Sequence, residues 1–231
     1  MKILGIIPAR GGSKGIPNKN RKLLNGIPLL QYTTTAAKES QLLDEVIFTS
    51  EDDILISLAK SQGISVPFKR PAHLATDAAG SLEVVKHAIS FYKEKGIYFD
   101  AVCLLQVTTP FRTAETIDLA IRKFKKNNCD SLISVQKVPH QFNPHWVFEE
   151  KNGNLKIATG ETRIIKRRQE LPDAFIRDGA IYITKTRTLM EENSFFGNST
   201  TYIETDASSY VNIDTMEDWK KAEMIIKQLS K

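Results

Sequence analysis

A run of glycines and cations placed directly after a buried strand leaves few folds open to this chain. Residues 2–8 are almost wholly apolar and read as that strand. Pro8-Ala9-Arg10-Gly11-Gly12-Ser13-Lys14-Gly15-Ile16-Pro17-Asn18-Lys19-Asn20 follows at once. Its glycines allow close backbone approach and positive φ. Successive backbone N–H groups in such a turn form an anion nest. Arg10, Lys14 and Lys19 add cations along the same loop. Polyphosphate chemistry needs this combination, because it rests on positioning and on neutralising charge. The bland alternative is a solvated basic turn, and the place of the loop after a first strand argues against it. The loop is neither a Walker A loop nor a dinucleotide fingerprint. GxxxxGK followed by Ser or Thr is absent, and Arg10 stands where GxGxxG needs its first glycine. P-loop NTPases and NAD enzymes therefore lose ground.

The rest of the chain alternates short apolar runs with helix-period segments, the pattern of βαβ units around a mainly parallel sheet. Strands are predicted at 45–49, 64–68, 101–106, 131–135, 179–184, 201–204 and 210–213, and helices at 29–38, 81–95 and 113–127. Ser50, with Asp53 three residues on, predicts an N-cap for a helix reaching about residue 61. Thr215, with Asp218, predicts a cap for a last helix reaching Leu229. The rhythm breaks over 137–173, where aromatics, prolines and an Asn152-Gly153 turn predict a hairpin-rich excursion. The expectation is one α/β domain over 1–231 carrying 137–173 as an insert.

A net charge of +5 is mild and fits an anionic small-molecule site as well as a nucleic-acid surface. The cations gather in one loop and are not interleaved with aromatics, so nucleic acid is not expected as a partner. Cys103 and Cys129 each lie in or beside an apolar stretch with no CxxC pair, and read as buried reduced thiols. The first apolar run is too short for a signal sequence, and no stretch is long enough for a membrane span. A cytoplasmic protein without a membrane partner is expected.

Five stretches, in order, carry a resemblance. The loop running from Ile7 to Asn20 resembles the signature of the acylneuraminate cytidylyltransferases, the CMP-sialic acid or CMP-nonulosonate synthetases. Lys69-Arg70-Pro71-Ala72-His73-Leu74-Ala75-Thr76-Asp77, with Ser81 beyond it, resembles a second family stretch. Leu104-Leu105-Gln106-Val107-Thr108-Thr109-Pro110-Phe111-Arg112, Arg167-Arg168-Gln169-Glu170-Leu171-Pro172 and Gly179-Ala180-Ile181-Tyr182-Ile183 resemble three more. The resemblance covers nearly the whole chain. It implies a three-layer Rossmann-like nucleotidyltransferase fold and transfer of a cytidylyl group from CTP to an anionic, sialic-acid-like sugar. By the same resemblance Ala9, Arg10, Gly11 and Ser13 contact the nucleotide, and Lys14 and Lys19 the triphosphate. Asn20 holds the ribose region, and Arg70 and Ser81 help read the base. Arg suits a phosphate or base edge, and Asn and Ser can both donate and accept. Gln106 ends a predicted strand, where ligands sit in open α/β sheets, and is expected to orient the acceptor. Arg168 is expected at the sugar carboxylate, with Tyr182 and Phe196 lining its pocket. The family pairs its subunits through the region matching 137–173, which implies a homodimer.

Nucleotidyl transfer calls for Mg²⁺, held by one or two carboxylates and substrate oxygens. The family's Asp-x-Asp pair is Asn212-Ile213-Asp214 here, so Asp214 is the expected ligand and Asn212 an uncharged partner. The bland reading of Asp214 is a helix-entry carboxylate favoured by the helix dipole. Phe175-Ile176-Arg177-Asp178-Gly179 also departs from the family's Phe-Arg-x-Asn-Gly, and predicts a carboxylate near the acceptor pocket. These departures keep two alternatives in view. One is the same fold serving another NTP or a sugar phosphate. The other is a non-catalytic nucleotide or nucleic-acid binding module.

Overall fold

A computed structural model describes residues 1–229. Strand β1 (Ile3–Pro8) lies one strand in from the edge of a six-stranded sheet. Its Ile3 and Ile7 face one core layer, and Leu4 and Ile6 the other. That alternation of two apolar faces is what a strand covered by helices on both sides requires. A hairpin follows the glycine loop, β2 (Leu23–Leu24) and β3 (Ile27–Pro28), turning at Asn25-Gly26 with both residues at positive φ. It leads into helix α1 (Leu29–Glu39) and strand β4 (Glu45–Thr49), which pairs parallel to β1. Helices α2 (Asp53–Ser61) and α3 (Ser81–Glu94) precede β5 (Ala101–Leu104), which pairs parallel to β1 on its other side. Helix α4 (Ala114–Asn127) and strand β6 (Ser131–Lys137) come next. Beyond a small hairpin, β7 (Phe148–Lys151) with β8 (Asn154–Ile157), strand β9 (Phe175–Lys185) inserts antiparallel between β5 and β6. Helix α5 (Thr186–Glu191), strand β10 (Thr200–Glu204) parallel to β6, and helix α6 (Met216–Leu229) complete the element order.

The sheet order is β10-β6-β9-β5-β1-β4. Helices α1, α2, α4 and α6 supply Leu30, Leu55, Ile121 and Trp219 to one layer, and α3 and α5 supply Val85, Ile89 and Leu189 to the other. This is the three-layer, mainly parallel α/β architecture expected from the alternation of runs. The chain leaves β1 toward β4 on one side and returns to β5 on the other, so the topological switch lies beyond the carboxyl ends of β1 and β5.

Several boundaries differ from those predicted. Asp52, not Ser50, caps α2, accepting from the Ile54 and Leu55 amides at 2.8 and 3.0 Å. The Ser50 hydroxyl instead accepts from the Asp52 amide. Residues 64–68 make one bridge, Ile47 to Ser65, and no strand. Residues 210–213 are not a strand either; Ile213 donates to the Thr108 carbonyl at 2.8 Å, which ties this segment to the turn after β5. The Thr215–Asp218 capping box forms reciprocally, at 2.8 and 3.2 Å. The Asn152-Gly153 turn closes β7 and β8 with both residues at positive φ, as a two-residue hairpin demands.

Arg112 holds that turn after β5 from beneath. Its buried guanidinium donates to the carbonyls of Ala180 and Gln106 and to the hydroxyls of Thr33 and Thr109. Burial lowers its pKa to about 10, so the group stays protonated at neutral pH. Replacing it leaves several buried acceptors without a donor. Arg112→Met is expected to cost about 3 kcal/mol of stability, read as a lower midpoint in urea unfolding. Unchanged stability would refute the strut.

Candidate functional site

The glycine loop leaves β1 at Pro8 and is pinned at three points. Ile16 is buried in the core. The Ala9 amide donates to the Thr49 carbonyl at 3.1 Å, and the Asn20 side chain donates to the Arg10 carbonyl at 2.9 Å. Gly11 and Gly15 are there for close approach. A Cβ on Gly11 would lie 2.3 Å from Asp52 Oδ2, and one on Gly15 would lie 2.0 Å from the Asp214 carbonyl oxygen. At Gly15 the obstacle is backbone and no side chain fits; at Gly11 the Asp52 side chain would have to move.

A cavity of about 510 Å³ opens at the switch point. The loop contributes Ala9, Arg10, Ser13, Lys14, Lys19 and Asn20 to its wall. The segment before α3 contributes Arg70 and Asp77, and α3 itself Ser81; Gln106 comes from the turn after β5, and Asp214 from the approach to α6. Ser81 is the first residue of α3, so that helix presents its amino end to the cavity, a favourable place for an anion.

The cations there have distinct surroundings. Arg70 is buried; it donates to the Ala9 carbonyl at 2.8 Å and also to the Thr49 carbonyl. Desolvation, opposed by the nearby Glu51 and assisted by Arg10, lowers its pKa to about 10, and the guanidinium remains charged at neutral pH. Lys19 is equally buried. Its Nζ donates to the Ile213 carbonyl at 2.5 Å and to Asp214 Oδ1 at 3.0 Å, which makes it a clamp on the 212–214 segment. Arg10 and Lys14 are more open, and each meets Asp77, at 2.7 and 2.9 Å. The Lys14 hydrogen bond, with Arg10 beside it, holds the Asp77 carboxyl below its ordinary range.

The sequence-named residues thus divide. Ala9, Arg10, Ser13, Lys14, Lys19, Asn20, Arg70, Ser81, Gln106 and Asp214 share one cavity. Gly11 faces away, its amide donating to Glu51 Oε1 at 2.7 Å. Asn212 braces Asp214, its amide nitrogen donating to Oδ2 at 2.7 Å, so it turns a donor rather than a metal-ligating oxygen toward the carboxylate. Tyr182 is a core residue, packed 5.9 Å from Phe195. Phe196 lies at the opposite end of the sheet, where its carbonyl accepts from Ser131 at the start of β6. Arg168 lies exposed on the 137–173 excursion, beside a separate cavity bounded by His140 and Asp173. Asp178 is buried and does not face the cavity. It accepts from Ser134, from Thr205 and from the Ala180 amide, and so fastens the irregularity where β6 meets β9. The expected acceptor-side carboxylate is therefore structural.

Three contributors are given no role by the sequence alone: Asp77, Glu51 and Arg112. Asp77 and Arg112 each end one of the stretches that resemble the family, but neither type in a turn signals its partner.

Asp214 is one carboxylate on the cavity wall, more than half exposed, with lone pairs beyond those used by Lys19 and Asn212. Among the described residues, no group of three or more His, Cys, Asp or Glu forms a closed metal cage. This donor set fits a hard cation that shares its ligands with a bound polyphosphate.

A mainly parallel sheet, a glycine loop bearing cations and a carboxylate opposite it define a nucleotidyltransferase. The family model for cytidylyltransferases matches residues 4–228, and the chain belongs to that family. It is 32% identical to the CMP-N,N'-diacetyllegionaminic acid synthase of Legionella pneumophila, over 98% of this chain and 97% of that one. It is 31% identical to the pseudaminic acid cytidylyltransferase of Campylobacter jejuni, over 98% and 97%. Among solved structures, a CMP:2-keto-3-deoxy-manno-octonic acid synthetase complexed with CTP superposes with a TM-score of 0.73 over 99% of both chains. Its identity is 16%, so it speaks for the fold alone.

Gly15 gives a direct test of how the loop and Asp214 are held together. Gly15→Ala must separate them, and is expected to lower transferase activity at least about tenfold at a stability cost of about 1–3 kcal/mol. Full activity in steady-state assays would refute the contact.

Proposed function

We propose that this protein transfers the cytidylyl group of CTP to a nonulosonic acid, giving a CMP-sugar and pyrophosphate. The observation that carries it is the cation-bearing loop closed against Asp214 at the switch point, in a chain matched end to end by CMP-nonulosonate synthases. A sugar hydroxyl oxygen attacks the α-phosphorus, the bond to the β-phosphate breaks, pyrophosphate leaves with the bonding pair, and the hydroxyl proton passes to solvent. Arg10 and Lys14 balance charge that builds on the leaving group. Lys19 positions Asp214 and need not touch phosphate. Gln106, at the carboxyl end of β5, orients the acceptor. Mg²⁺ bound by Asp214 and the phosphates would supply further charge neutralisation. No side chain is required as a strong base, because positioning and electrostatics dominate such transfers.

We place the reaction in the cytoplasm. Cys103 and Cys129 are both buried and unpaired, as suits a reducing compartment, and burial pushes the Cys103 thiol up to about 12. Among the described residues no helix is long and apolar enough to cross a membrane.

A homodimer through 137–173 is part of the same reading. Phe142, Phe148, Leu155 and Ile164 are all exposed there, more apolar surface than so small a hairpin region should leave to water. Pairing would also bring Arg168 to a neighbouring cavity. Trp146 serves the excursion itself, its indole donating to the Ile165 carbonyl at 2.7 Å, so Phe148 and Leu155 are the better probes. The double change Phe148→Glu with Leu155→Glu is expected to halve the mass measured by light scattering; an unchanged mass would remove the dimer as placed.

Pyrophosphate release is the primary assay, with four NTPs against nonulosonic acids and sugar phosphates. Release with CTP and a nonulosonic acid alone is expected, lost on chelating Mg²⁺ or in Asp214→Ala, and reduced about a hundredfold in Lys14→Ala. Turnover with another nucleotide alone would overturn the cytidylyl reading.

A further inference from the structure

Two carboxylates line the cavity, and they meet cations in opposite ways. Asp214 is held by a buried lysine whose ammonium also binds a backbone carbonyl, an arrangement built to stay. Asp77 stands on an exposed turn, about half open to solvent, and bridges two side chains that are themselves accessible. One oxygen takes Arg10 at 2.7 Å and the other takes Lys14 at 2.9 Å. Two oxygens of one anion on two cations is also how a phosphate group would sit there. Exposed pairs of this kind are weak and easily exchanged. The segment can yield locally. Arg70 anchors one end through its amide to the Ser50 carbonyl and through its buried side chain, α3 begins at Ser81, and residues 76–78 between them are exposed.

We infer that Asp77 is a built-in counterion of the triphosphate site, holding Arg10 and Lys14 before nucleotide arrives and competing with pyrophosphate for them after transfer. The inference rests on the cytidylyl reading above. Its first consequence is preorganisation: two like charges on one glycine loop stay close together without a ligand. Its second is a weaker hold on the product. Pyrophosphate must keep both cations against an anion tethered to the same wall, so the tether raises its apparent dissociation constant. Nucleotide meets the same competitor, but its base and ribose find further contacts that pyrophosphate lacks.

The test is calorimetric titration of the full chain with pyrophosphate and with CTP, each with and without Mg²⁺. Asp77→Asn keeps the size of the side chain and removes its charge. It is expected to bind pyrophosphate about three- to tenfold more tightly, with stronger product inhibition in turnover and a smaller gain for CTP. The gain should shrink as salt is raised from about 50 to 500 mM, because screening acts on exposed charges. Asp77→Ala should behave alike, and Asp77→Glu should stay near the parent. Weaker binding in Asp77→Asn, or a changed Mg²⁺ requirement, would make Asp77 a ligand of metal or nucleotide and overturn the inference, as would equal affinity at low salt. A parent protein that binds neither CTP nor pyrophosphate would sink the cytidylyl reading itself. A parent that binds both, with no gain in the variant, would sink only the counterion.

Discussion

Two buried guanidiniums hold the edge of the sheet on which everything else is mounted. Parallel strands that stop together leave carbonyl oxygens beyond the last ladder hydrogen bond, and a buried carbonyl without a donor is costly. Arg70 serves the ends of β1 and β4 through Ala9 and Thr49. Arg112 serves the turn after β5 and the neighbouring β9 through Gln106 and Ala180. Burial pulls both toward about 10, and both remain charged at neutral pH. Each therefore fixes backbone geometry, and Arg70, on the cavity wall, also leaves positive charge there. A lysine would not replace either, because one ammonium cannot reach acceptors spread across a guanidinium fork.

On that edge the site is assembled from segments far apart in sequence. The 212–214 segment is held by three contacts of different kinds, two to the glycine loop and one to the turn after β5. Lys19 takes the Ile213 carbonyl, the Ile213 amide takes the Thr108 carbonyl, and Gly15 lies flat against the Asp214 carbonyl. The placement of Asp214 is thus determined by backbone, with Asn212 and Lys19 steadying its carboxylate. Precise placement of this sort is what a transfer governed by electrostatics and position needs.

Much of this was legible in the sequence where one local rule decides. The buried run before a glycine loop, the capping box at Thr215–Asp218 and the Asn152-Gly153 hairpin all rest on short-range chemistry, and each appears as read. The Asn25-Gly26 hairpin carries the same signal. Where two partners compete for a role, sequence was silent. Asp52 outranks Ser50 as a cap because its side chain reaches two amides. Tyr182 and Phe196 are aromatics typical of pockets and of cores, and only the fold places one in the core on β9 and the other in the loop before β10. Asp178 looked like a substrate-facing carboxylate, yet two hydroxyls and an amide enclose it. Lys19, a cation in a phosphate-type loop, is drawn instead to a carbonyl and a carboxylate nearly two hundred residues away.

The two halves of the proposed reaction are built differently. The nucleotide half lies on the sheet edge, with loop, helix terminus and buried arginines all supplied by one chain and braced by the core. The acceptor half is sparse in a single chain: Gln106 faces the cavity, while Arg168 stands on an exposed excursion. A site divided in this way separates two kinds of change. Altering the sheet edge disturbs the buried carbonyls and the stability of the fold. Altering the hairpin of the excursion disturbs the fold of the single chain less, since its residues are mostly exposed and it closes on its own turn chemistry. Relatives matched over nearly their full length bear names with different sugars, legionaminic and pseudaminic acids, while both are CMP-sugar or cytidylyl enzymes by name. On the proposed reaction, a donor half braced by the core beside an acceptor half at an exposed margin would accord with names that share the cytidylyl group and differ in the sugar.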